Sequence, residues 1–322
     1  MAKPLTYNAS LSERIDLTDS LAVFKVVPDE FLDQIDGKLT GAPVGGDGPW
    51  FVPGQYVVLG MNHPEKGPVR RAMSLASAPE QTDALEFYIR YVTVPESDNP
   101  LTHLLWPTKE GDRLFVTTKA TGRFTLEHTV GADDRRLKIF IAAGTGLAPF
   151  VSIVRSRLLR DPEADLRDLV LLHGASYPED LGYREELEAA RSRGLHYAVT
   201  ISRPKQRPDW QGDRGRVEDY VLPERLEELE KRVGLEPGGL GPRRAVVYIC
   251  GLQGTIGASI ERLAERGFVP ADRKIRRALD IPKDVAPTLF YEQYDNAPVI
   301  DIADPEVVSA LKERLHRGLA AA

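Results

Sequence analysis

The sequence has little cysteine, no long apolar run and no excess of positive charge. Its single cysteine, Cys250, excludes an internal disulfide and an iron–sulfur cluster held by cysteines of this chain alone. No apolar stretch approaches the roughly 20 residues that a membrane-spanning helix needs. The first residues also lack the apolar core of a signal peptide. We therefore expect a cytoplasmic protein that has no membrane partner.

Histidine, charge and length narrow the class further. The six histidines are scattered without the spacing of a metal site, so no metal is expected. The formal net charge of −6 argues against nucleic acid as a partner. A length of 322 residues is too great for one hydrophobic core and suits about two domains.

The first part of the chain, residues 1–130, has the pattern of an antiparallel sheet or small barrel. Short apolar runs alternate there with turn residues, which is typical of antiparallel strands. The stretch Thr40–Pro49 is rich in glycine and proline and predicts a mobile loop. The apolar runs are Leu21–Val26, Tyr56–Leu59, Ala72–Leu75, Leu85–Val92 and Arg113–Thr117.

From Leu137 the pattern changes to strands that alternate with helices. Such a βαβ series predicts a doubly wound parallel sheet with helices on both faces. This α/β domain is expected over residues 131–295, with the polar run Gly131–Arg136 as the linker. The predicted strands are 137–143, 168–174, 196–202 and 245–251, and the predicted helices are 149–160, 183–193, 217–233 and 255–267.

Residues 296–322 form an extension beyond this domain. Asp304-Pro305-Glu306 is typical of a helix start, and the apolar residues that follow fall four apart and form one stripe. The stripe needs an apolar surface to cover it. That surface is either the protein's own barrel or a second copy of the chain, which would give a homodimer through the C-terminal helix. The stripe consists of Val307, Leu311, Leu315 and Leu319.

The junction between the first predicted α/β strand and its helix is the most informative local pattern. The strand Leu137–Ala143 leads directly into Gly144-Thr145-Gly146-Leu147-Ala148-Pro149. The glycines allow a tight turn and leave room for a ligand, while the helix start offers free N–H groups to a phosphate. An ordinary strand–helix turn fits these six residues at least as well, and GTGLAP is not the dinucleotide fingerprint GxGxxG. A second motif is needed to decide.

That second motif is Arg71-Ala72-Met73-Ser74, at the end of a predicted barrel strand. An arginine can fork two hydrogen bonds onto a pyrophosphate, and a serine hydroxyl can reach a ring nitrogen. Alone, the motif would be only a surface arginine and a turn serine. Three further segments follow it in the order that a flavin reductase requires, namely Glu86–Arg90, Pro100–Thr102 and Gly122–Leu126.

With these segments in this order, the chain resembles the ferredoxin–NADP(H) reductase family, including the bacterial ferredoxin/flavodoxin reductases, over about residues 15–295. The resemblance implies an antiparallel β-barrel domain that binds FAD, followed by an α/β doubly wound domain that binds NADP(H). In the family, an arginine holds the FAD pyrophosphate, a serine bonds near flavin N5, and a tyrosine stacks on the ring. Arg71 and Ser74 match the first two, whereas Met73 replaces the tyrosine with a thioether that can pack on the ring but cannot donate a hydrogen bond. The other implied flavin residues are Ala72, Tyr88, Ile89, Arg90, Leu101, Thr102 and Thr125.

The resemblance also assigns the nicotinamide domain. Thr145 would lie at the seam between flavin and nicotinamide, and Cys250 beside the nicotinamide ring, although a small buried hydrophobe at a strand end fits Cys250 as well. A 2′-phosphate needs fixed cations, best supplied by arginine. Ser176 stands where bacterial members often have such an arginine, with Lys205 and Arg207 near enough in sequence to compensate, and we expect NADP(H). The implied nicotinamide-cofactor residues are Gly144, Thr145, Gly146, Ser176, Ser202, Arg203, Arg216, Cys250, Gly251 and Tyr294.

Glu292-Gln293-Tyr294 resembles the carboxyl end of plant-type and some bacterial members. There an aromatic residue covers the open flavin face and a glutamate sits at its edge. Such proteins usually stop near this point, whereas 28 residues follow Tyr294 here. We hypothesise that the last helix docks and limits how Tyr294 moves. The implied catalytic residues are Ser74, Cys250, Glu292 and Tyr294.

The implied function is that of an FAD-dependent oxidoreductase that exchanges electrons between NADPH and a one-electron carrier such as ferredoxin or flavodoxin. Two alternatives stay open: an electron-transfer subunit of a larger complex, and a flavin-binding module without turnover. Basic side chains form four local clusters, each of which is either a solvated face or a docking surface for an acidic partner. The clusters are Arg70-Arg71, Arg135-Arg136, Arg155/Arg157/Arg160 and Lys274/Arg276/Arg277.

Overall fold

The computed structural model describes residues 3–29, 50–94 and 100–321. The predicted loop Thr40–Pro49 lies outside the described residues. No helix in the described part of the chain is long and apolar enough to cross a membrane. The chain divides into two compact units, Met1–Ala132 with Leu147–Ala164, and Asp133–Gly146 with Asp165–Ala322.

The first unit is built on six antiparallel strands, which confirms the predicted barrel class for this part of the chain. Apolar side chains from all six strands form its core, in which Phe24, Leu59 and Phe87 are at most 1% exposed. Two short helices, α1 (Leu101–Leu105) and α2 (Leu126–Thr129), accompany the strands. The strands are β1 (Ala9–Thr18), β2 (Leu21–Pro28), β3 (Tyr56–His63), β4 (Gly67–Ser74), β5 (Leu85–Arg90) and β6 (Arg113–Val116), in the spatial order β4-β3-β6-β1-β2-β5.

Strand β1 is the element of the barrel that the apolar pattern missed. Only Ala9 and Leu11 of its ten residues are buried, and the apolar residues of its second half, Ile15 and Leu17, are exposed. The strand is held by backbone pairing along β2 and, at its start, along β6. A strand whose stability comes from such pairing leaves little trace in hydrophobic periodicity.

Helix α3 (Ala148–Arg160) belongs to the first unit, although the sequence suggested that it was part of the α/β domain. The Ser152 hydroxyl donates to the carbonyl oxygen of Ser77 at 2.7 Å. Arg155 donates to the Glu86 carboxylate at 2.7 Å, and both side chains are largely buried. Since Arg160 is likewise paired with Glu80, two members of the predicted Arg155/Arg157/Arg160 cluster are engaged inside their own unit.

The second unit is a six-stranded sheet in which every neighbouring pair is parallel, and this confirms the predicted doubly wound class. After the first strand of this sheet, the next three strands are added one after another on one side of it, and the last two are added on its other side. The strands are β7 (Leu137–Ala143), β8 (Leu169–Ala175), β9 (His196–Ile201), β10 (Asp213–Arg214), β11 (Ala245–Gly251) and β12 (Leu289–Gln293), in the order β10-β9-β8-β7-β11-β12.

The helices of this unit differ from the prediction at one clear point. The predicted helix 217–233 is a 3₁₀ segment, Val217–Val221, followed by a separate α-helix. Leu222 is extended between them because it precedes Pro223, which disfavours helical backbone at the residue before it and cannot continue an upstream helix. The helices are α4 (Arg184–Ala189), α5 (Pro223–Arg232), α6 (Gln253–Ala264), α7 (Arg273–Ala278) and α8 (Pro305–Ala321).

The surface that covers the C-terminal helix was predicted wrongly. Helix α8 packs on α6 of its own unit, where Leu311 and Leu315 are buried in the core of the parallel-sheet unit. Gly318 lies so close to the backbone of Ala264 that a Cβ there would overlap its carbonyl oxygen. Because Leu311 and Leu315 at the centre of the stripe are buried and Val307 is partly buried, with only Leu319 exposed, neither the barrel nor a second copy is needed to cover it. The argument for a homodimer through this helix is therefore lost.

His173 on β8 provides a test of the core of the second unit. The ring is fully buried, its Nδ1 lies 3.0 Å from the Tyr197 hydroxyl, and its Nε2 has no hydrogen-bond partner among the described residues. Burial lowers the pKa of His173 to about 3. Between about pH 6.5 and 3, His173 is therefore protonated in the unfolded chain, where its pKa is near 6.5, but neutral in the folded chain.

We predict that the free energy of unfolding falls as pH drops from about 6.5 towards 3, with His173 contributing up to about 1.4 kcal/mol per pH unit. Substituting His173→Asn removes this titration and leaves a polar partner for Tyr197. Urea unfolding at several pH values measures both slopes. An identical pH dependence for the two proteins would contradict the buried, neutral state of His173.

Candidate functional site

The parallel sheet offers one favoured place for a ligand. Strands β7 and β11 are neighbours, but the chain leaves β7 towards β8 and leaves β11 towards β12. In open α/β sheets, ligands bind outside the carboxyl ends of the strands where the connections diverge in this way. Gly144–Leu147, a short 3₁₀ segment, follows β7 at this point, and Cys250-Gly251 ends β11.

The two strand ends approach each other closely through Gly146. A Cβ at this position would overlap the carbonyl oxygen of Cys250 and crowd the amide nitrogen of Gly251. Gly144 has a φ of +55°, in the left-handed region that favours glycine. The glycines of the GTG segment are thus required by backbone geometry, and the surface they leave is free of side chains.

Cys250, Glu292 and Tyr294 meet at the same edge. Cys250 pairs with Glu292 across β11 and β12, and the Tyr294 hydroxyl donates to the carbonyl oxygen of Thr145 at 3.3 Å. Burial raises the pKa of the Cys250 thiol well above its usual value, the Glu292 carboxylate raises it further, and a hydrogen bond with Tyr294 partly offsets both. Cys250 is therefore a neutral, fully buried thiol, while Tyr294 stands 41% exposed on the GTG segment.

The residues predicted to hold a 2′-phosphate come together at the carboxyl ends of β8, β9 and β10. The amide of Ser202 donates to Ala175 at 2.9 Å, and that of Arg203 donates to Ser176 at 3.2 Å. The amide of Gly215 donates to Ile201 at 3.0 Å, which brings Arg216 to the same edge. The Arg216 side chain is 70% exposed, and its Nη1 lies 3.6 Å from the buried carboxylate of Glu218.

Sequence reasoning missed Tyr177, which stands between two arginines at this edge. The guanidinium carbons of Arg203 and Arg207 lie 5.5 and 5.2 Å from the centre of its ring, and Arg203 Nη1 donates to its hydroxyl at 3.1 Å. Arg207 also pairs with Glu179, and this guanidinium lowers the pKa of that carboxyl. Tyr177 belongs to no recognisable motif, since only the folded strand ends bring it to the two arginines.

The barrel carries the predicted flavin motif on β4. This strand pairs only with β3 in the sheet order, and Arg71 is exposed on it, with Nη1 donating to the carbonyl oxygen of Arg70 at 2.8 Å. Ser74 at the strand end is 7% exposed, and Met73 is half-buried against the barrel core. The three residues thus fall within the last four positions of β4, with Arg71 exposed and Ser74 buried.

Most of the other predicted flavin residues have buried side chains, whereas Ala72 is exposed. Thr125 is fully buried, and its hydroxyl caps α2 by accepting from the amide of His128 at 3.1 Å. Arg90 is half-exposed at the end of β5, with Nη1 3.4 Å from the Ser20 hydroxyl. These positions therefore contribute packing and backbone groups more than side chains to any ligand. The remaining buried members are Tyr88, Ile89, Leu101 and Thr102, at 1–6% exposure.

Comparison with known proteins adds family evidence to this geometry. The oxidoreductase NAD-binding domain family matches residues 140–259, which run from β7 into α6. A ferredoxin–NADP reductase B of Sorangium cellulosum is 34% identical over 227 residues, which cover 70% of this chain and 82% of that protein. The chain belongs to the ferredoxin–NADP reductase family.

Two further likenesses agree with this membership. A ferredoxin–NADP reductase of Azotobacter vinelandii is 29% identical over 71% of this chain and 86% of its own length. A solved ferredoxin NADP⁺ reductase of Neisseria gonorrhoeae, with bound FAD and NADP, superposes with a TM-score of 0.65 over 89% of this chain and 98% of that one. At 21% identity, the second likeness concerns the fold. The family resemblance drawn from the Arg71–Ser74 and GTG motifs is thus confirmed.

The close approach at Gly146 predicts the cost of a single methyl group. Gly146→Ala should lower the free energy of unfolding by about 1–3 kcal/mol, because the new Cβ forces apart two backbones that cannot give way easily. Gly254→Ala on α6 is the matched control, since the nearest atom to its Cβ is Arg216 Nη1 at 3.9 Å. Chemical denaturation measures both, and equal effects would contradict the assigned contact.

Proposed function

We propose that this protein is an FAD-dependent oxidoreductase that exchanges electrons between NADPH and a one-electron protein carrier such as ferredoxin or flavodoxin. The relatives with a quarter to a third of their residues in common are named as reductases of this kind. The observation that carries the proposal is the carboxyl edge of the parallel sheet, where the GTG segment follows β7 and two exposed arginines follow β9 and β10.

The arrangement at this edge fits NADP(H). Arg203 and Arg216 are exposed cations, as recognition of a 2′-phosphate requires. Gly144–Gly146 leaves backbone that a ligand can approach, and the buried Cys250 thiol adds no charge there. We infer that Ser202, Arg203 and Arg216 hold the adenosine end, and that the GTG segment and Cys250 face the nicotinamide.

The donor set on β4 fits the other cofactor, FAD. Arg71 is exposed and able to fork two hydrogen bonds onto a pyrophosphate. Ser74 presents a hydroxyl at the strand end, and Met73 offers a polarisable thioether for an apolar ring. We infer that these three residues bind the pyrophosphate and the ring edge, with backbone groups near Arg90, Leu101 and Thr102 completing the site.

The cofactors supply the redox chemistry: a bound flavin takes a hydride from reduced nicotinamide and returns electrons singly. The residues of this chain orient the reactants and exclude water. Cys250 stays protonated and neutral, so it packs beside a ring without attacking it. Glu292 supplies a carboxylate at the same edge, and we assign to it the positioning of the nicotinamide, whereas Tyr294 rests on the GTG segment and has to move when the ring binds.

The predicted docking clusters carry less weight for the choice of partner than their sequence suggested. Arg155 and Arg160 are paired within the first unit, and Arg136 is paired with Asp134. Arg276 donates to the carbonyl oxygens of Pro282 and Val285 instead of facing a partner. The ferredoxin or flavodoxin assignment therefore rests on the family and not on a positive surface.

An absorption spectrum of the purified chain, recorded before and after anaerobic addition of NADPH, tests the function. We expect a flavin spectrum that NADPH bleaches, followed by reduction of both a dye and an added ferredoxin. Bleaching without dye reduction until a partner chain is added would identify a subunit of a larger complex. A flavin that NADPH leaves unchanged would identify a binding module and overturn the proposal.

We predict that Arg203→Ala and Arg216→Ala raise the KM for NADPH by roughly ten- to a hundredfold each, and leave that for NADH nearly unchanged, because only NADPH loses a charge-assisted contact of about 1.5–3 kcal/mol. Arg167→Ala is the control, since this arginine is 77% exposed, pairs with Asp165 and precedes β8 at the opposite edge. Equal losses with both coenzymes would refute the 2′-phosphate assignment.

A further inference from the structure

The N-terminus of α6 is capped by a residue from far along the chain. The helix begins at Gln253, and Leu252 in the preceding position provides no side-chain cap. The Asp295 carboxylate accepts a hydrogen bond from the amide of Gln253 at 2.9 Å. A carboxylate is favoured here because it satisfies a free N–H group and interacts with the positive end of the helix dipole.

Asp295 is the next residue after Tyr294, so the cap fixes the backbone on which the tyrosine stands. The amide of Tyr294 donates to the carbonyl oxygen of Gly251 at 3.2 Å. The side chain of Gln293 bonds both Asp295 and the carbonyl oxygen of Ala297. Tyr294 is therefore held on both sides by contacts of its neighbours.

The residues after Asp295 also pack against α6, which further fixes the backbone next to Tyr294. A Cβ on Gly257 of α6 would overlap the carbonyl oxygen of Val299, so the chain lies directly on the helix there. Val299 and Ile300 are buried, and α8 then packs along α6. The chain after Tyr294 thus contacts α6 at Asp295, at Val299 and along α8.

The tyrosine held in this way occupies the place assigned to the nicotinamide. Its hydroxyl contacts Thr145 in the GTG segment, and it is hydrogen-bonded with Cys250 at the end of β11. A nicotinamide ring that enters this edge has to displace those contacts. Any interaction that fixes the tyrosine backbone makes the displacement more costly.

We propose that Asp295 is a positioning residue, whose cap on α6 holds Tyr294 over Thr145 and Cys250 and thereby weakens binding of the nicotinamide ring. The proposal rests on the proposed function, because it requires NADP(H) at this edge. It assigns to Asp295, which immediately precedes the C-terminal extension, a role in setting coenzyme affinity.

The test uses the FAD-loaded, full-length protein and measures the Kd of NADP⁺ from the change in the flavin spectrum. Asp295→Ala should tighten NADP⁺ binding by about three- to tenfold, the scale of a lost helix cap. Binding of adenosine 2′,5′-bisphosphate, which has no nicotinamide, should not change. Asp301→Ala is the matched control, since it removes the same charge from the same segment and Asp301 accepts only locally, from the amide of Ala303 at 3.1 Å.

A double-mutant cycle with Tyr294→Ala separates positioning from other effects. If Asp295 acts through the tyrosine, Asp295→Ala has no further effect on the Kd of NADP⁺ once Tyr294 is alanine. Asp295→Asn keeps an acceptor oxygen for the amide of Gln253, so it tests the same contact if Asp295→Ala fails to fold. It should fall between the wild type and Asp295→Ala because the charge–dipole attraction is lost.

Three results overturn the proposal: unchanged or weaker NADP⁺ binding in Asp295→Ala, an equal gain in both tyrosine backgrounds, or an equal gain for the bisphosphate. The wild-type protein separates this failure from that of the function. If NADPH bleaches the wild-type flavin while Asp295→Ala behaves like Asp301→Ala, only the positioning role is lost. If NADPH leaves the wild-type flavin unchanged, both are lost.

Discussion

The contact between Gly146 and the carbonyl group of Cys250 is the constraint on which the candidate site depends. It joins the carboxyl ends of β7 and β11 at the point where their connections diverge. Any side chain at Gly146 would separate the two strand ends, and a ligand surface made of backbone would be replaced by one made of side chains. Cys250 itself is fully buried at this junction, and burial keeps its thiol neutral.

Local sequence was enough to predict the elements that are buried on both faces. Strands β7 and β11 have the predicted bounds because a continuous apolar run of that length has few alternatives in a parallel sheet. Strand β1 was missed because only two of its ten residues are buried and backbone pairing holds it in place, and the helix predicted at 217–233 is interrupted before Pro223. In both cases backbone effects, which leave no apolar period, decided the outcome.

Some residues of the candidate site could be predicted from a sequence motif, whereas others are recognisable only in the folded structure. The GTG segment, Cys250 and the Ser202-Arg203 pair were found because each occupies the end of a recognisable strand. Tyr177 and Asp295 were not found, since each acquires its partner from another part of the chain. The surface under α8 was predicted wrongly for a related reason, because an apolar stripe reveals that a helix is covered but not by what.

The distribution of charge along the sheet edge bears on how a dinucleotide would lie there. The exposed cations Arg203 and Arg216 follow β9 and β10, at one side of the sheet. The neutral thiol and the bare glycine backbone lie at β7 and β11, beyond β8. A coenzyme with a phosphate at one end and an aromatic ring at the other gains charge-assisted hydrogen bonds in only one orientation. On the proposed function, the arginines after β9 and β10 would thus fix the direction of the coenzyme. At β7 and β11 its nicotinamide ring would compete with Tyr294 for the same place. Affinity for the phosphate and access for the ring would then be set by separate residues, which lets a change at Asp295 alter one without the other.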